Sequence, residues 1–231
     1  MNNLKIFCIS LSENHLEKIK KINYIPVGVG DESFSKGWLR DNLGENISKK
    51  NKYYGEYTFH YWLWKNNFMN IEDGCWIGFC TYRRFWSNNS EDTILEDLKN
   101  SIIQKVPQEW DSYNSVLVKP LFINKTKPSK VLKHGKKYLL KNPLIFFNKK
   151  KITIKVHFDM YHGHGNLDKA IDLLDNQNKE NFRKFVESEN AFNPYNMFLC
   201  KSQKILIEYY DSLFNWLLRC EAIFGFNMNG S

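Results

Sequence analysis

Arg83 and Arg84 stand side by side, directly after the apolar run CWIGFCTY of residues 75–82. A guanidinium carries a rigid fork of N–H donors that matches phosphate oxygens two at a time, and it does not lose its charge. Two of them at a strand's carboxyl end make a pre-positioned anion site. The chain has 5 Arg against 28 Lys, so an adjacent Arg pair stands apart from its general basicity. The competing reading is a surface pair whose stems lie along Phe85 and Trp86. A second cluster is His157, Asp159, His162 and His164, in a Gly-containing stretch read as a loop. Asp159 or His164 could move a proton in a transfer reaction. Loop spacing gives no metal-ligand geometry, and solvated or helix-capping histidines are the alternative.

What is missing narrows the chemistry. There is no GxGxxG, Walker A, GxSxG or HExxH motif. An Asp-x-Asp pair with apolar flanks, the usual metal–diphosphate handle of nucleotide-sugar enzymes, is also missing. The expectation is a reaction that needs no cofactor and no metal site, with a divalent cation (Mn or Mg) as the alternative.

These residues need a scaffold, and the composition supplies one. The chain has 231 residues, 42% hydrophobic and 16% aromatic, which excludes bulk disorder and suffices for a core. Five cysteines without a CxxC pair argue against a disulfide framework or zinc ribbon and for a reducing, cytoplasmic setting. No N-terminal leader and no uncharged apolar stretch of about 18 residues is visible. With 27 Asn and 28 Lys against 3 Ala, the usage points to a low-GC bacterial genome, where many Lys and Asn carry no message.

The net charge of +8 is local. Residues 119–155 hold 12 Lys and no acid; the remaining 194 residues hold 21 basic against 25 acidic side chains, a balance of −4. Such a segment attracts phosphates, acidic polymers or anionic lipid. YLL (138–140) and PLIFF (143–147) could touch a membrane surface. A solvated insertion is the plain alternative. No nucleic-acid module shows its signature, so nucleic acid is not an expected partner.

The elements read as α/β. Strands are expected at 4–9, 24–30, 75–80, 114–123 and 197–201, with the run at 75–80 buried on both faces near the sheet centre. Helices are expected at 15–22, 52–66, 91–105, 167–175, 179–188 and 202–224. In 52–66, Tyr54, Tyr57, Tyr61 and Trp64 form one stripe, Glu56 and His60 share a face, and Ser48 or Asn51 could cap the start. Residues 31–51 lack periodicity and read as a long loop. Open α/β sheets bind ligands beyond the carboxyl ends of their strands, which singles out the loops from Ser10, from Asp31 to Asn51, and from Tyr82 onward.

GENISKKNKYYGEYTFHYWLWKN (44–66) followed by WIGFCTYRRFW (76–86) resembles the DUF4422 family of bacterial capsule and exopolysaccharide proteins. Asn46, Ile47, Ser48, Lys50, Asn51, Tyr54, Glu56, Thr58, Tyr61, Trp62, Trp64, Lys65 and Asn66 match its pattern. So do Gly78, Tyr82, Arg83, Arg84 and Phe85, and Asn196-Met197-Phe198 matches its Asn-Met-Phe. The resemblance covers nearly the whole chain except an insertion near 125–155. Thr81 replaces the family's His, Gly55 its Cys and Glu45 its Asp. A further family segment lies beyond Ser231, so a truncated domain is expected.

The resemblance implies one GT-A-like domain over 1–231, with a mixed, mostly parallel sheet flanked by helices. It implies a hexosyltransferase using a nucleotide-sugar donor, UDP-linked, and an oligosaccharide or lipid-linked acceptor of surface polysaccharide. Asn46, Ser48, Lys50, Tyr82, Arg83 and Arg84 are then expected to bind the donor and Asn196 the acceptor. Glu56, Asp159 and His164 are the catalytic candidates. Cytoplasmic placement follows, with peripheral contact at the inner face of the membrane through the Lys segment. The alternative is a non-catalytic domain that binds an anionic polymer or membrane surface.

Overall fold

The computed structural model describes residues 4–67, 74–87, 101–123 and 152–226. Contacts group the chain into two compact units: Met1–Val118 with Tyr195–Tyr210, and Lys119–Pro194 with Asp211–Ser231. Among the described residues no helix is long and apolar enough to cross a membrane.

The first unit is built on a six-stranded sheet. Its strands are β1 (Leu4–Ser10), β2 (Ile25–Gly28), β3 (Leu39–Arg40), β4 (Trp76–Thr81), β5 (Ser115–Leu117) and, after the second unit's β6 (Leu121–Phe122) and β7 (Ala191–Phe192), β8 (Phe198–Cys200). The order is β3-β2-β1-β4-β8-β5. The first four run parallel, and β8 is antiparallel to both β4 and β5. The expected mixed, mostly parallel sheet is therefore what forms, with β4 inside it. β4 is buried along Trp76–Cys80, as its unbroken apolar run requires. Gly78 has no room for a side chain: a Cβ there would lie 2.8 Å from Leu199 Cδ2.

Side-chain alternation gives the sheet two packed faces. On one, Ile6, Cys8, Trp76 and Cys80 meet Leu16 and Ile19 of α1 (Leu16–Lys21), with Trp86 and Ile103. On the other, Phe7 and Phe79 stack at 5.8 Å. Phe59 lies 5.2 Å from Phe7, and Phe198 lies 4.9 Å from Phe79. All five cysteines are unpaired and four are buried, as small apolar side chains.

The expected helix 52–66 is three pieces: α2 (Asn51–Tyr54), α3 (Tyr57–Trp62) and a π turn at Leu63–Asn67. Gly55 breaks it at φ +55°, ψ −134°, a conformation that side-chain-bearing residues avoid. The buried stripe is then Phe59, Trp62 and Leu63 with Tyr61, while Tyr54, Tyr57 and Trp64 of the expected stripe are half-buried. The Tyr61 hydroxyl finds a partner at the margin, donating to Glu45 Oε1 at 2.9 Å. Asn51 does not cap the start; its Nδ2 donates to Gly55 O at 2.8 Å and helps close the break. Residues 31–51 are more ordered than their polarity suggests. They contain β3, a 3-10 turn at Ser48–Lys50, and two buried side chains, Trp38 and Asp41.

The expected strand 114–123 splits at Pro120, which cannot donate to a ladder. β5 joins the main sheet, and β6 pairs with β7 in the second unit. That unit also holds α4 (Ile154–His162), α5 (Asn166–Ile171) and α6 (Asn176–Ser188). The stretch read as a histidine loop is thus largely helix, its start capped by Thr153, whose Oγ1 accepts from Val156 N. α7 (Gln203–Phe224) gives Gln203–Tyr210 to the first unit and its remainder to the second. Residues 88–100, most of the expected helix 91–105, and residues 124–151, most of the Lys-rich insertion, lie outside the described residues.

Candidate functional site

Because β1 to β4 are parallel, their carboxyl ends share one edge of the sheet. The chain runs from β1 outward to β2 and β3, then returns to β4 on the other side of β1. Strand order reverses at β1/β4, and a crevice opens at such a reversal. Two backbone bonds pin it: Val29 N donates to Ser10 O at 3.0 Å, and Tyr82 N donates to Ile9 O at 3.1 Å.

Over β2 and β3 lies an open cavity of about 660 Å³. Its walls include Glu32, Arg40, Asn42, Asn46, Ser48 and Lys49. Two of the expected donor residues are therefore here, with Lys49 in the wall rather than Lys50. Asn46 and Ser48 hold each other: Ser48 Oγ donates to Asn46 Oδ1 at 2.9 Å, and Asn46 Nδ2 donates to Gly44 O at 2.8 Å. Arg40 spans the cavity's rim, donating to Gly30 O at 2.9 Å and Glu32 O at 3.1 Å, with its guanidinium 4.3 Å from the Phe34 ring centre. The next residue, Asp41, is fully buried with neither carboxylate oxygen hydrogen-bonded. Burial raises its pKa above the usual carboxylate value.

Beyond β4, Arg84 N donates to Thr81 O at 3.0 Å, and Trp86 is anchored by donating Nε1 to Phe79 O at 3.0 Å. This tight turn leaves Arg83 and Arg84 exposed. Trp86 is core, not a surface on which the arginines lie. Arg84 sits 4.0 Å from the ring centre of Tyr195, and Arg83 sits 5.2 Å from that of Tyr82. Neither arginine is in the wall of the β2/β3 cavity.

Tyr195 leads to Asn196, just before β8. Since β8 is antiparallel to β4, its start faces the same edge. Asn196 Nδ2 donates to Glu56 Oε1 at 3.3 Å, and Tyr57 OH donates to Asn196 Oδ1 at 2.7 Å. Glu56 thus sits in the break at Gly55 and within the group carrying Asn196, Tyr195 and Arg84. His60, expected on the same face as Glu56, is instead wholly buried. Its Nδ1 lies 2.9 Å from Tyr210 OH, and burial pushes its pKa down to about 3.

Asp159 and His164 belong to the second unit. The Asp159 carboxylate is enclosed and takes three partners: Lys155 Nζ at 3.1 Å, His164 Nδ1 at 3.1 Å and Gly165 N at 3.3 Å. Lys155 also meets Asp168 at 2.6 Å, and Arg183 ties Asp168 to Asp172. Burial opposes the Lys155 charge, but the bonds to Asp168 and Asp159 outweigh it and raise its pKa. One lysine of the basic segment therefore has acidic partners from outside it. Among the described residues no group of three or more His, Cys, Asp or Glu could hold a metal ion.

A family model, the domain of unknown function DUF4422, matches residues 5–229. The chain belongs to this family. No curated protein matches it. Among solved structures, the apo form of the WbbM bifunctional glycosyltransferase is similar, with a TM-score of 0.51 and 18% identity over 99% of this chain. The chain spans 38% of that protein's length.

In this DUF4422 chain Thr81 stands at the edge where the family pattern has His, and its Oγ1 is buried without a partner. The sequence singles out the loops that hold Ser10, His15, Glu32 and Arg40 without picking these residues individually, and it does not point to Tyr195. Position was the available signal for His15, since it lies in the first of the three loops singled out. Arg40 had rarity as its signal. Tyr195 had none beyond its neighbour Asn196.

Proposed function

We propose that this chain is a glycosyltransferase that moves a sugar from a nucleotide-sugar donor to a saccharide acceptor. The observation that carries the reading is the shared edge. An exposed Arg pair, a polar cavity and a partnered glutamate all gather where parallel strands end and strand order reverses. The likeness in fold to a bifunctional glycosyltransferase supports it.

Arg83 and Arg84 take the diphosphate and neutralise its charge as the bond to the sugar breaks. In the β2/β3 cavity the Arg40 guanidinium is engaged by Gly30 O and Glu32 O, and Glu32, Asn42 and Asn46 suit hydroxyl groups, so this wall takes ribose or sugar. Glu56, held by Asn196, accepts the proton of the attacking acceptor hydroxyl. A glycosidic bond forms at the anomeric carbon, the bond to the phosphate oxygen breaks, and the nucleoside diphosphate leaves with the electron pair. Among the described residues the turn after β4 offers guanidiniums and no carboxylate, which favours charge neutralisation by the arginines, with a divalent cation as the alternative. The DUF4422 resemblance supplies the finer reading: a GT-A-like fold, a UDP-linked hexose, a surface-polysaccharide acceptor and work at the inner face of the membrane.

A panel of UDP-, GDP- and CDP-sugars tests the proposal. The cognate nucleotide should stabilise the protein by RT ln(1 + [L]/Kd), about 2.7 kcal/mol at a hundredfold excess over Kd, and its sugar should be transferred or slowly hydrolysed. If no nucleotide shifts the melt and no donor turns over, the reading fails. Binding to acidic polysaccharide or anionic vesicles alone would then favour the non-catalytic alternative.

A further inference from the structure

One connected set of side chains spans the crevice from the β2/β3 cavity to the Arg pair. Glu32, in the cavity wall, accepts from Ser12 Oγ at 3.4 Å and from Glu13 N at 3.2 Å. Glu13 in turn accepts from Ser35 N at 2.9 Å and Ser35 Oγ at 2.8 Å, and these bonds, the backbone one foremost, hold its carboxyl below the usual range. The loops after β1 and β2 are thereby stitched together. Ser12 N donates to Ser10 Oγ at 3.0 Å, and Ser10 Oγ lies 2.8 Å from His15 Nδ1. The His15 ring lies flat on Tyr82, with centroids 4.0 Å apart and planes 17° apart. Tyr82 leads directly into Arg83.

Ser10 Oγ is buried and carries one hydrogen, which Ser12 O accepts at 3.1 Å. With that hydrogen turned to Ser12 O, Nδ1 of His15 can donate to Ser10; in either tautomer Nδ1 is taken up by Ser10, and Nε2 is the nitrogen that remains for a ligand. The ring is therefore fixed on both counts: its tilt by Tyr82, its rotation by Ser10. Adjacent strands lie about 4.8 Å apart, so the end of β1 falls midway between the cavity over β2 and the arginines beyond β4. A donor bound across both must pass His15.

We propose that His15, through Nε2, is a ligand of the donor's diphosphate, a third contact beside Arg83 and Arg84. This rests on the donor reading above. When protonated, imidazole donates from both nitrogens, so Nδ1 keeps Ser10 while Nε2 serves a phosphate oxygen. The stack on Tyr82 also suits a cationic ring.

Two substitutions in the whole chain separate a ligand from a packing group. His15→Phe keeps a flat ring on Tyr82 and removes Nε2. His15→Gln removes the ring and keeps an amide donor at similar reach. Calorimetric titration with UDP, or with whichever nucleoside diphosphate stabilises the wild type, reads the result. His15→Phe should weaken binding about tenfold or more, as for loss of a charge-assisted hydrogen bond, while His15→Gln stays within a few-fold of wild type. The reverse order, with Phe tolerated and Gln not, would make His15 a packing residue and overturn the proposal with the donor reading intact. A wild type that binds no nucleoside diphosphate at all would overturn both.

Discussion

Asn196 and Glu56 are 140 residues apart in the chain and meet through a 3.3 Å hydrogen bond, while Tyr57 holds the same amide from its other side at 2.7 Å. The amide orients a glutamate that would otherwise swing freely at a helix start. Glu56→Gln should lower turnover by roughly 10²–10⁴ with little change in donor affinity, as expected for a lost general base. Asn196→Ala should cost less in rate and about 1 kcal/mol in stability, through the lost bonds to Tyr57 and Glu56. Steady-state kinetics and urea melts measure the two. Full activity in Glu56→Gln would remove it from the chemistry.

The arginines give the second prediction. Arg84→Lys keeps charge but loses the fork and the flat contact with Tyr195, so nucleoside diphosphate affinity should fall about tenfold. Arg83→Ala with Arg84→Ala should abolish measurable binding. Activity should persist in EDTA. Loss in EDTA that Mn²⁺ restores would show that the charge on the diphosphate is met by a metal after all.

His60 sets a pH dependence of stability. Its folded pKa of about 3 lies below the unfolded value of about 6.5, so the native state prefers the neutral ring. Between those values the unfolded chain takes a proton that the folded one refuses, and stability falls as pH drops through that window. At pH 5 the loss is about 2 kcal/mol relative to pH 7.5. Urea midpoints at the two pH values, for wild type and His60→Phe, should show this component in the first and not in the second.

Asp159→Asn separates a structural carboxylate from a catalytic one. An enclosed acid with three donors should cost about 2–3 kcal/mol when neutralised, seen as a lower urea midpoint at unchanged m. A variant that melts like wild type yet has lost turnover would instead place Asp159 in the reaction.

The thiols should be quiet. Burial raises the pKa of Cys80, with Cys8 adding to it, and burial raises that of Cys200 and Cys220 as well. A colourimetric thiol reagent at pH 8 should react slowly with Cys220 and scarcely with the other four. All five should react at once in urea.

The sheet was largely legible because buried parallel strands write themselves as unbroken apolar runs, and LKIFCI and CWIGFC are such runs. The long C-terminal helix was legible from its period. What misled was local. Gly55 interrupts a helical pattern that its neighbours maintain on both sides, and periodicity has no weight for a single φ. Pro120 divides NSVLVKPLFI, although the β-forming residues run on across it. The histidines at 157–164 drew attention by chemistry, which hid the apolar spacing of Ile154, Phe158 and Tyr161. In the site, rarity picked out Arg83 and Arg84, and the family pattern picked out Asn46, Ser48, Glu56 and Asn196. His15 escaped because its meaning comes from Tyr82, 67 residues later, and no local pattern encodes that stack.

The two backbone bonds that pin the edge, Val29 to Ser10 and Tyr82 to Ile9, use no side chain. Whatever residues follow those strands, the ends themselves stay where the ladder puts them. Side chains of the loops that follow, where they face the cavity rather than the core, Glu32 and Asn42 among them, can therefore change without moving the frame. On the glycosyltransferase proposal, exchange of the cavity-wall residues Glu32 or Asn42 would change which sugar fits while the strands remain untouched. Substitutions at Glu32 or Asn42 should accordingly leave the fold and its urea midpoint intact, whereas replacing Trp86, which is core, should not.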